Sequence, residues 1–447
     1  MKINKPKNPN YCATVVQIKR LVELDKCDNL QGAIIMGNQV IVDKSVKVGD
    51  VGLYFPLETQ LSEQYLSNNN LFRHKEKNVD VEKGGYFEDN GRVRCIKLRG
   101  NKSEGVFMPL TSLEFVIGDE YKSLKENTDF DELEGVEICR KYVVKVKESN
   151  SSSKNNSKKQ SKLKDLMIEN QFRFHEDTLM LYKNIHKIKP DDLISITYKE
   201  HGSSGISSKT LIKKELNLFE KILLFFGVNI PKEEYGYVYS SGKPRSKLPK
   251  GIVGRYKNPN KDFYENDIWK DSFEYLKEYL TDGLTLYYEI VGYTRNGGMI
   301  QKGFDYGCTQ PNGEEEYVEG VHYKIKIYRI TYTNQSGKVF EFSAKQVQDW
   351  CNQFGLTPVT QLYYGYAGGF LKYDKRTTIQ TWQEQFMESI KEKYNEKDCY
   401  MCNTKVPEEG VVIRIEKNDF EAYKQKSNRF YELETKMLDE GVVDIEE

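Results

Sequence analysis

Ile196-Thr197-Tyr198-Lys199-Glu200-His201-Gly202-Ser203-Ser204 is the stretch from which the rest of the chain can be read. A β-rich run over residues 193–198 ends in a lysine, and a glycine turn with two hydroxyls follows. Taken alone this is only a lysine at a strand end, where lysines are ordinarily solvated. Three later segments change its weight. Leu286-Tyr287-Tyr288-Glu289-Ile290-Val291-Gly292 embeds an acid in an apolar strand, which by itself fits an acid pointing outward from a half-buried sheet. Glu408-Glu409-Gly410-Val411-Val412-Ile413-Arg414 sets a carboxylate immediately before a hydrophobic strand. Tyr423-Lys424-Gln425-Lys426-Ser427 spaces two lysines by two residues, hence on one strand face.

Around these segments lie 447 residues in which 67 Lys+Arg cancel 67 Asp+Glu. At ~150 residues per domain the length predicts two or three domains. With 38% hydrophobic, 30% charged and 12% aromatic residues, the composition is globular rather than disordered. The longest apolar run, 222–228, falls far short of the ~18–20 residues of a membrane helix. The polar start, Met1-Lys2-Ile3-Asn4-Lys5-Pro6, has no apolar core of a secretory signal. A soluble, cytoplasmic, monomeric protein without a membrane partner is expected, and the Lys/Asn/Tyr-rich composition suits an AT-rich genome such as that of a phage or virus. Eight cysteines are a low density that fits reduced thiols. Cys399 and Cys402 have C-x-x-C spacing, but no second pair or nearby His completes a tetrahedral metal set, so they read as a chance pair.

Two regimes of pattern divide the chain. Residues 1–148 read as short strands with turn punctuation: 11–18, 32–36, 39–42, 51–55, 92–98 and 134–146, with Gly37-Asn38 as a two-residue hairpin turn. Short strands with little helix predict a small β-barrel of the OB type, a fold that commonly binds nucleic acid. Residues 149–162 are Ser/Lys-rich; no apolar side chain occurs in 149–161, so the segment reads as a flexible linker. Arg140 to Lys164 carries nine Lys/Arg against one acid, which fits a solvated tether first and phosphate contact second. Residues 163–447 form an α+β domain, with strands over 193–198, 284–293, 323–333 and 410–416. Helical stripes Leu216/Phe219/Leu223/Phe226, Trp269/Phe273/Leu276/Leu280 and Ile379/Trp382/Phe386/Ile390 are each expected to face the core.

In their order and separation the four segments resemble motifs I, III, IV and V of the covalent nucleotidyltransferases, the ATP-dependent polynucleotide ligases and mRNA capping enzymes. The resemblance implies an ATP-grasp-like ligase domain of antiparallel sheets flanked by helices. It also implies that Lys199 attacks the α-phosphorus of ATP, expels pyrophosphate and forms a lysyl-AMP phosphoramidate. A free lysine has a pKa of ~10.4, so the amine must be neutralised by nearby positive charge, metal or desolvation. Lys424 and Lys426 would supply positive charge at the α-phosphate. Glu409 would bind Mg²⁺ or Mn²⁺, and Glu289 would contact the ribose or a metal-bound water. His201 and Gly202 fall in the nucleotide-binding turn. Tyr328 either stacks on the adenine or is simply a strand aromatic.

Two features narrow the resemblance. Lys199-Glu-His201-Gly202 reads K-x-H-G, typical of an RNA-ligase branch that includes the trypanosome editing ligases, where DNA ligases usually have K-x-D-G. Only about twenty residues follow Lys426, too few for the C-terminal OB domain of DNA ligases and capping enzymes. An OB-like module placed first is similar to the Deinococcus-type RNA ligases, and Arg99-Gly100-Asn-Lys-Ser103-Glu-Gly105 matches an R-G-x-x-S-x-G signature of their N-terminal module. That resemblance implies sealing of 3′-OH/5′-phosphate breaks in RNA, or in an RNA/DNA hybrid duplex, with Arg99 and Ser103 toward the nucleic acid. Arg245, with Arg255 as competitor, would contact the nucleotide or 5′-phosphate. A GTP-dependent capping-type enzyme and a non-catalytic nucleic-acid-binding protein are the alternatives.

Overall fold

The computed structural model describes residues 3–144, 167–175, 177–241 and 267–441. The linker expected at 149–162, Arg245 and Arg255 lie outside them. Among the described residues no helix is long and apolar enough to cross a membrane.

The N-terminal part is built of short antiparallel strands. Ala13–Gln17 and Val51–Phe55 lie at the centre of a four-stranded sheet edged by Asp129–Phe130 and Val106–Pro109. Leu21–Glu23, Leu30–Ile35 and Asn38–Asp43 form a second sheet. Ile35 pairs with Asn38, so the hairpin turn is Met36-Gly37, one residue earlier than expected. Both turn residues have positive φ, +49° and +77°, the two-residue geometry that suits strand twist. Asn38 is the first strand residue and is buried, its amide donating to the Tyr54 hydroxyl at 3.2 Å. Of the strand expected over 92–98 only Ile96–Leu98 forms.

The larger part has two five-stranded sheets. The first runs Leu179–Met180, Glu421–Lys426, Gly410–Ile415, Leu193–Lys199, Gln361–Tyr366; the second runs Glu233–Ser241, Ser203–Lys213, Leu284–Gly292, Tyr323–Thr333, Val339–Glu341. Every pairing is antiparallel except the short one between Leu179–Met180 and Glu421–Lys426. Period-two alternation makes the first sheet two-faced. Ile194, Ile196, Val411, Ile413 and Tyr423 point to a core that also holds Trp382, Phe386 and Ile390 of the helix Ile379–Tyr394, as the helical stripe predicts. Trp269, Phe273 and Leu276 of the helix Ile268–Leu276 cover the second sheet.

The stripe at 216–226 does not behave as expected. A helix does form over Leu218–Phe225, with an Asn217/Glu220 capping box and Gly227 in a left-handed turn, φ +82°. Yet none of its residues is buried, and Phe219 is 67% exposed. The helix lies in the connection between the strands Ser203–Lys213 and Glu233–Ser241, and no layer covers it among the described residues.

The two parts share one core. Val16, Ile18, Ala33, Val40 and Tyr54 pack in the same cluster as Leu181, Ile194, Trp382 and Tyr423. Each Val, Leu or Ile among them, fully buried, contributes ~1.5–3 kcal/mol. Polar ties reinforce the contact. Lys391 donates to Gly37 O at 2.7 Å and Asn38 Oδ1 at 2.8 Å. Arg92, wholly buried, forks onto Glu58 at 2.7 and 2.8 Å and reaches Asp439 of the C-terminal helix Asn428–Asp439 at 3.1 Å.

Candidate active site

Register explains why the four sequence segments meet. Lys199 pairs with Gly410, and Gly410 with Lys426, so three neighbouring strands place the residues in one row. The next rows on the same face are Thr197–Val412–Lys424 and Ser195–Arg414–Ala422. These side chains floor a cavity of about 190 Å³, walled from the second sheet by Gly202, Ser204, Glu289 and Tyr328. Gly410 permits the close packing of that row: at φ +145°, a Cβ there would sit 2.1 Å from Gln425 O.

Glu409 is the hub. Its Oε1 lies 2.8 Å from the Lys199 amine and 4.0 Å from that of Lys426, and its Oε2 lies 3.7 Å from His201 Nδ1. Ser427 fixes the Glu408-Glu409 turn: its hydroxyl donates to Glu408 O at 2.6 Å and its N–H to Glu409 O at 2.8 Å. Ser427 also caps the helix Asn428–Asp439. That helix carries Glu434, whose Oε1 takes the Lys426 amine at 2.6 Å. Glu434 escaped sequence reading because nothing in its own neighbourhood marks it. Only the capping serine after the lysine strand announces the helix.

The glycine turn is equally constrained. Gly202 N–H donates to Glu289 Oε1 at 3.1 Å, and Gly202 O accepts from Gln301 Nε2 at 2.7 Å. A Cβ on Gly202 would lie 2.4 Å from Ile290 O and 2.8 Å from Glu289 Cγ. The His201 ring stands edge-on between Phe304 and Phe430, each centroid 4.9 Å away, and the His201 backbone N–H donates to the Tyr306 hydroxyl. Tyr328 shares a hydrogen bond of 3.0 Å with Ser204 and meets the His175 ring at 5.1 Å.

Charge is distributed unevenly among the buried acids. Burial pushes Glu200 up to about 7 and Glu408 up to about 9, with Cys399 and Glu200 adding to the latter. Burial acts on Glu409 too, but Lys199, His201 and Lys426 outweigh it and hold that carboxyl below its ordinary value. Glu409 is therefore the anion. Burial likewise opposes charge on Lys199, yet Glu409 and then Glu289 outweigh it, against Lys426, and raise the amine above its ordinary value. Lys199 is thus ion-paired with Glu409. Lys424 is the depressed lysine, pushed down to about 7 by burial and by Lys426 and Lys199. Burial also acts on Lys426, but Glu434, Tyr11 and Glu409 hold it well above its usual range.

The donor set fits a hard divalent cation. Glu409 Oε2 is buried with no hydrogen-bond partner. No group of three or more His, Cys, Asp or Glu forms a metal cage among the described residues. A cation at Glu409 would complete its shell with phosphate oxygens and water.

The residues expected to face nucleic acid are not gathered here. The Ser103 side chain is buried, donating to Gly105 O at 3.1 Å and accepting from Ile41 N at 3.0 Å, so it braces the N-terminal module internally. Arg99 is exposed at a left-handed turn, φ +49°, with Nη1 on Lys26 O at 2.6 Å.

A family model described as an OB-fold domain matches residues 12–110. No curated protein sequence matches. Among solved structures, a lysine-to-methionine variant of Naegleria gruberi RNA ligase with AMP and Mn is similar at TM-score 0.53 and 15% identity, covering 94% of this chain and 98% of that one. A lysine-to-alanine variant with ATP and Mn gives TM-score 0.53 and 15% identity over 96% and 99% of the two chains. The same ligase with PPi gives 0.52 and 15% over 95% and 98%. An N-terminal OB-fold domain joined to a sheet-rich α+β domain, as in the Naegleria RNA ligase, is the fold of this chain.

Proposed function

We propose that this chain is an ATP-dependent RNA ligase that seals 3′-OH/5′-phosphate breaks, with nicks in duplexes as preferred substrates. The observation that carries the reading is the Lys199–Gly410–Lys426 row with Glu409 2.8 Å from the Lys199 amine. A lysine nucleophile, a metal-competent carboxylate and flanking lysines are what phosphoryl transfer to nitrogen requires. The Naegleria ligase structures with AMP or ATP and Mn support the choice of nucleotide and metal class.

In this reading Lys199 must lose a proton before it attacks. A divalent cation, Mg²⁺ or Mn²⁺, held by Glu409 would polarise the α-phosphate and offset the carboxylate's hold on the ammonium. Lys424 and Lys426 stabilise the negative charge that develops on the phosphoryl group and its leaving group. Glu289 orients the Gly202 turn and contacts the ribose or an outer-shell water. Tyr328, fixed by Ser204, stacks on the adenine, and His201 helps hold Glu409. AMP then passes to a 5′-phosphate, and a 3′-OH displaces it to join the strands. Residues 1–148 form the nucleic-acid module, with Arg99 toward the strand, 149–162 the linker and 163–447 the adenylyltransferase domain. Arg245, or Arg255 in its place, is assigned to the nucleotide or the 5′-phosphate. The Deinococcus-type subgroup, a monomer and a cytoplasmic location complete the reading.

The test uses the purified full chain with α-labelled ATP, then with nicked RNA, DNA and hybrid duplexes. ATP labelling plus sealing of an RNA nick is expected. Labelling by GTP alone would move the assignment to capping chemistry, and labelling by neither nucleotide would leave a binding protein.

A further inference from the structure

The two cysteines that read as a chance pair in the sequence are a hydrogen-bonded pair in the fold. Cys399 and Cys402 open and close a turn, with Cys402 N–H on Cys399 O at 3.4 Å. Across such a turn the end residues lie less than ~7 Å apart, within reach of a disulfide. The Cys399 thiol hydrogen-bonds the Cys402 sulfur. Cys402 is half-buried, whereas the other seven cysteines are buried, so it is the thiol an outside reagent can reach. The turn is anchored on both sides. Cys399 N–H donates to Val406 O at 2.8 Å, and Asp305 accepts from Asn403 N at 2.8 Å and Thr404 N at 3.2 Å.

Each sulfur is also tied to one side of the Lys199 site. Cys399 hydrogen-bonds the side chain of Glu408, the neighbour of Glu409. Cys402 accepts the backbone N–H of Tyr306, whose hydroxyl accepts the His201 backbone N–H in the glycine turn. The bonds divide the roles of the two thiols. Hydrogen bonding to Cys402, and then burial, hold the Cys399 thiol far above its usual range, so Cys399 keeps its proton. The same bond lowers Cys402 against burial, and the Tyr306 N–H adds to it. A reachable thiol disposed to ionise, with a second thiol in contact, is what thiol–disulfide exchange requires.

We propose that Cys399 and Cys402 are a redox-modification site, which a small disulfide of the oxidised-glutathione class converts to an intramolecular disulfide, weakening ATP use at Lys199. The Cys402 thiolate attacks one sulfur of the small disulfide, whose S–S bond breaks. The departing thiolate takes up the proton that Cys402 released. The Cys399 sulfur then attacks Cys402 Sγ and expels the second small thiol, which carries off the Cys399 proton. The protein loses two electrons and two protons, and the small disulfide gains them. A disulfide sulfur is a poorer hydrogen-bond partner than a thiol or thiolate, so the ties to Glu408 and Tyr306 both slacken. The effect on ATP rests on the nucleotidyltransferase reading above; formation of the disulfide does not.

The test equilibrates the reduced full-length protein with mixtures of reduced and oxidised glutathione, beside Cys402→Ala and Cys399→Ser. Peptide mass spectrometry reads the bond, and the ATP dependence of lysyl-AMP labelling reads its consequence. Oxidised wild type should lose two hydrogens on the peptide spanning 399–402. Its half-saturating ATP concentration should rise roughly threefold to tenfold, and dithiothreitol should reverse both changes. Cys402→Ala should form no such bond and show no shift, while Cys399→Ser should trap glutathione on Cys402. No intramolecular disulfide in excess oxidised glutathione overturns the proposal, as does the absence of the Cys402 adduct in Cys399→Ser. A disulfide that leaves ATP dependence unchanged overturns the link to the site, and a shift that persists in Cys402→Ala overturns the assignment to this pair. If the reduced wild type forms no lysyl-AMP, the functional reading itself has failed, and the mass readout still decides the pair.

Discussion

Glu409 Oε1 sits 2.8 Å from the Lys199 amine, inside a site where the neighbouring carboxyls Glu200 and Glu408 are pushed toward neutrality. The pair joins the nucleophile of the proposed reaction to the group proposed to hold its metal. The lysine rests as an ammonium until another cation takes the carboxylate.

Glu409→Gln keeps the shape of the side chain and removes its charge. Adenylylation should fall by roughly 10²-fold or more, and raising Mn²⁺ should not restore it. Gel labelling with α-labelled ATP across a metal titration measures this. Rescue by excess metal would mean that another ligand carries the cation.

Nucleotide affinity should weaken as pH rises above about 7. Burial, Lys426 and Lys199 hold Lys424 down to about 7 in the free protein, and a bound phosphate would raise it. Below 7 the amine is charged in both states and binding is strongest. Above 7 binding must take up a proton, losing up to about tenfold per pH unit until the bound-state value is passed. Lys424→Arg should flatten the profile. Equilibrium binding of a non-hydrolysable ATP analogue between pH 6 and 9 gives the answer, and a flat wild-type curve would contradict the account.

Gly410→Ala should destabilise the fold by about 1–3 kcal/mol and abolish labelling, because a Cβ would meet Gln425 O at 2.1 Å in a left-handed backbone. Thermal unfolding and gel labelling are the two readouts. An active, equally stable variant would show that the Lys199–Gly410–Lys426 row tolerates separation.

Arg92→Ala should cost about 3–5 kcal/mol, since it strands the buried Glu58 carboxylate and releases Asp439. Replacing both partners, Arg92→Met with Glu58→Leu, should recover most of that loss. Denaturant titration of the wild type and the two variants tests it, and equal stability of the single and double variants would refute the pairing argument.

Strand joining should be salt-sensitive and lysyl-AMP formation comparatively salt-tolerant, since only the former engages a run of backbone phosphates. Measuring both rates between 50 and 300 mM salt separates them. Parallel decline of the two would deny the N-terminal module its role as a grip on nucleic acid.

The legible parts of this chain were those where local pattern and register agree. The strands around Lys199, Glu289 and Lys424 are β-rich runs bounded by turns, so residues two apart in sequence fall on one face. Ser203–Lys213 was not legible as a strand, because hydroxyls stand on both of its buried faces: Ser207 meets the Tyr288 hydroxyl at 2.9 Å, and on the opposite face Ser208 meets Thr285 at 2.8 Å. Helical periodicity at 216–226 announced a helix but not its exposure, since burial depends on what lies above it. Ser103 looked like a surface group because a motif carries no information on where its hydroxyl points. Lys141 was visible only as one member of the basic run 140–164 and Tyr11 not at all, for they reach the cavity only through the packing of the N-terminal module.

The most direct measurement is peptide-level mass spectrometry of the full chain after incubation with ATP and Mg²⁺ or Mn²⁺. The account predicts one AMP in phosphoramidate linkage on Lys199, lost in acid and absent from Lys199→Ala. AMP on any other residue, or an adduct that persists in Lys199→Ala, would contradict it.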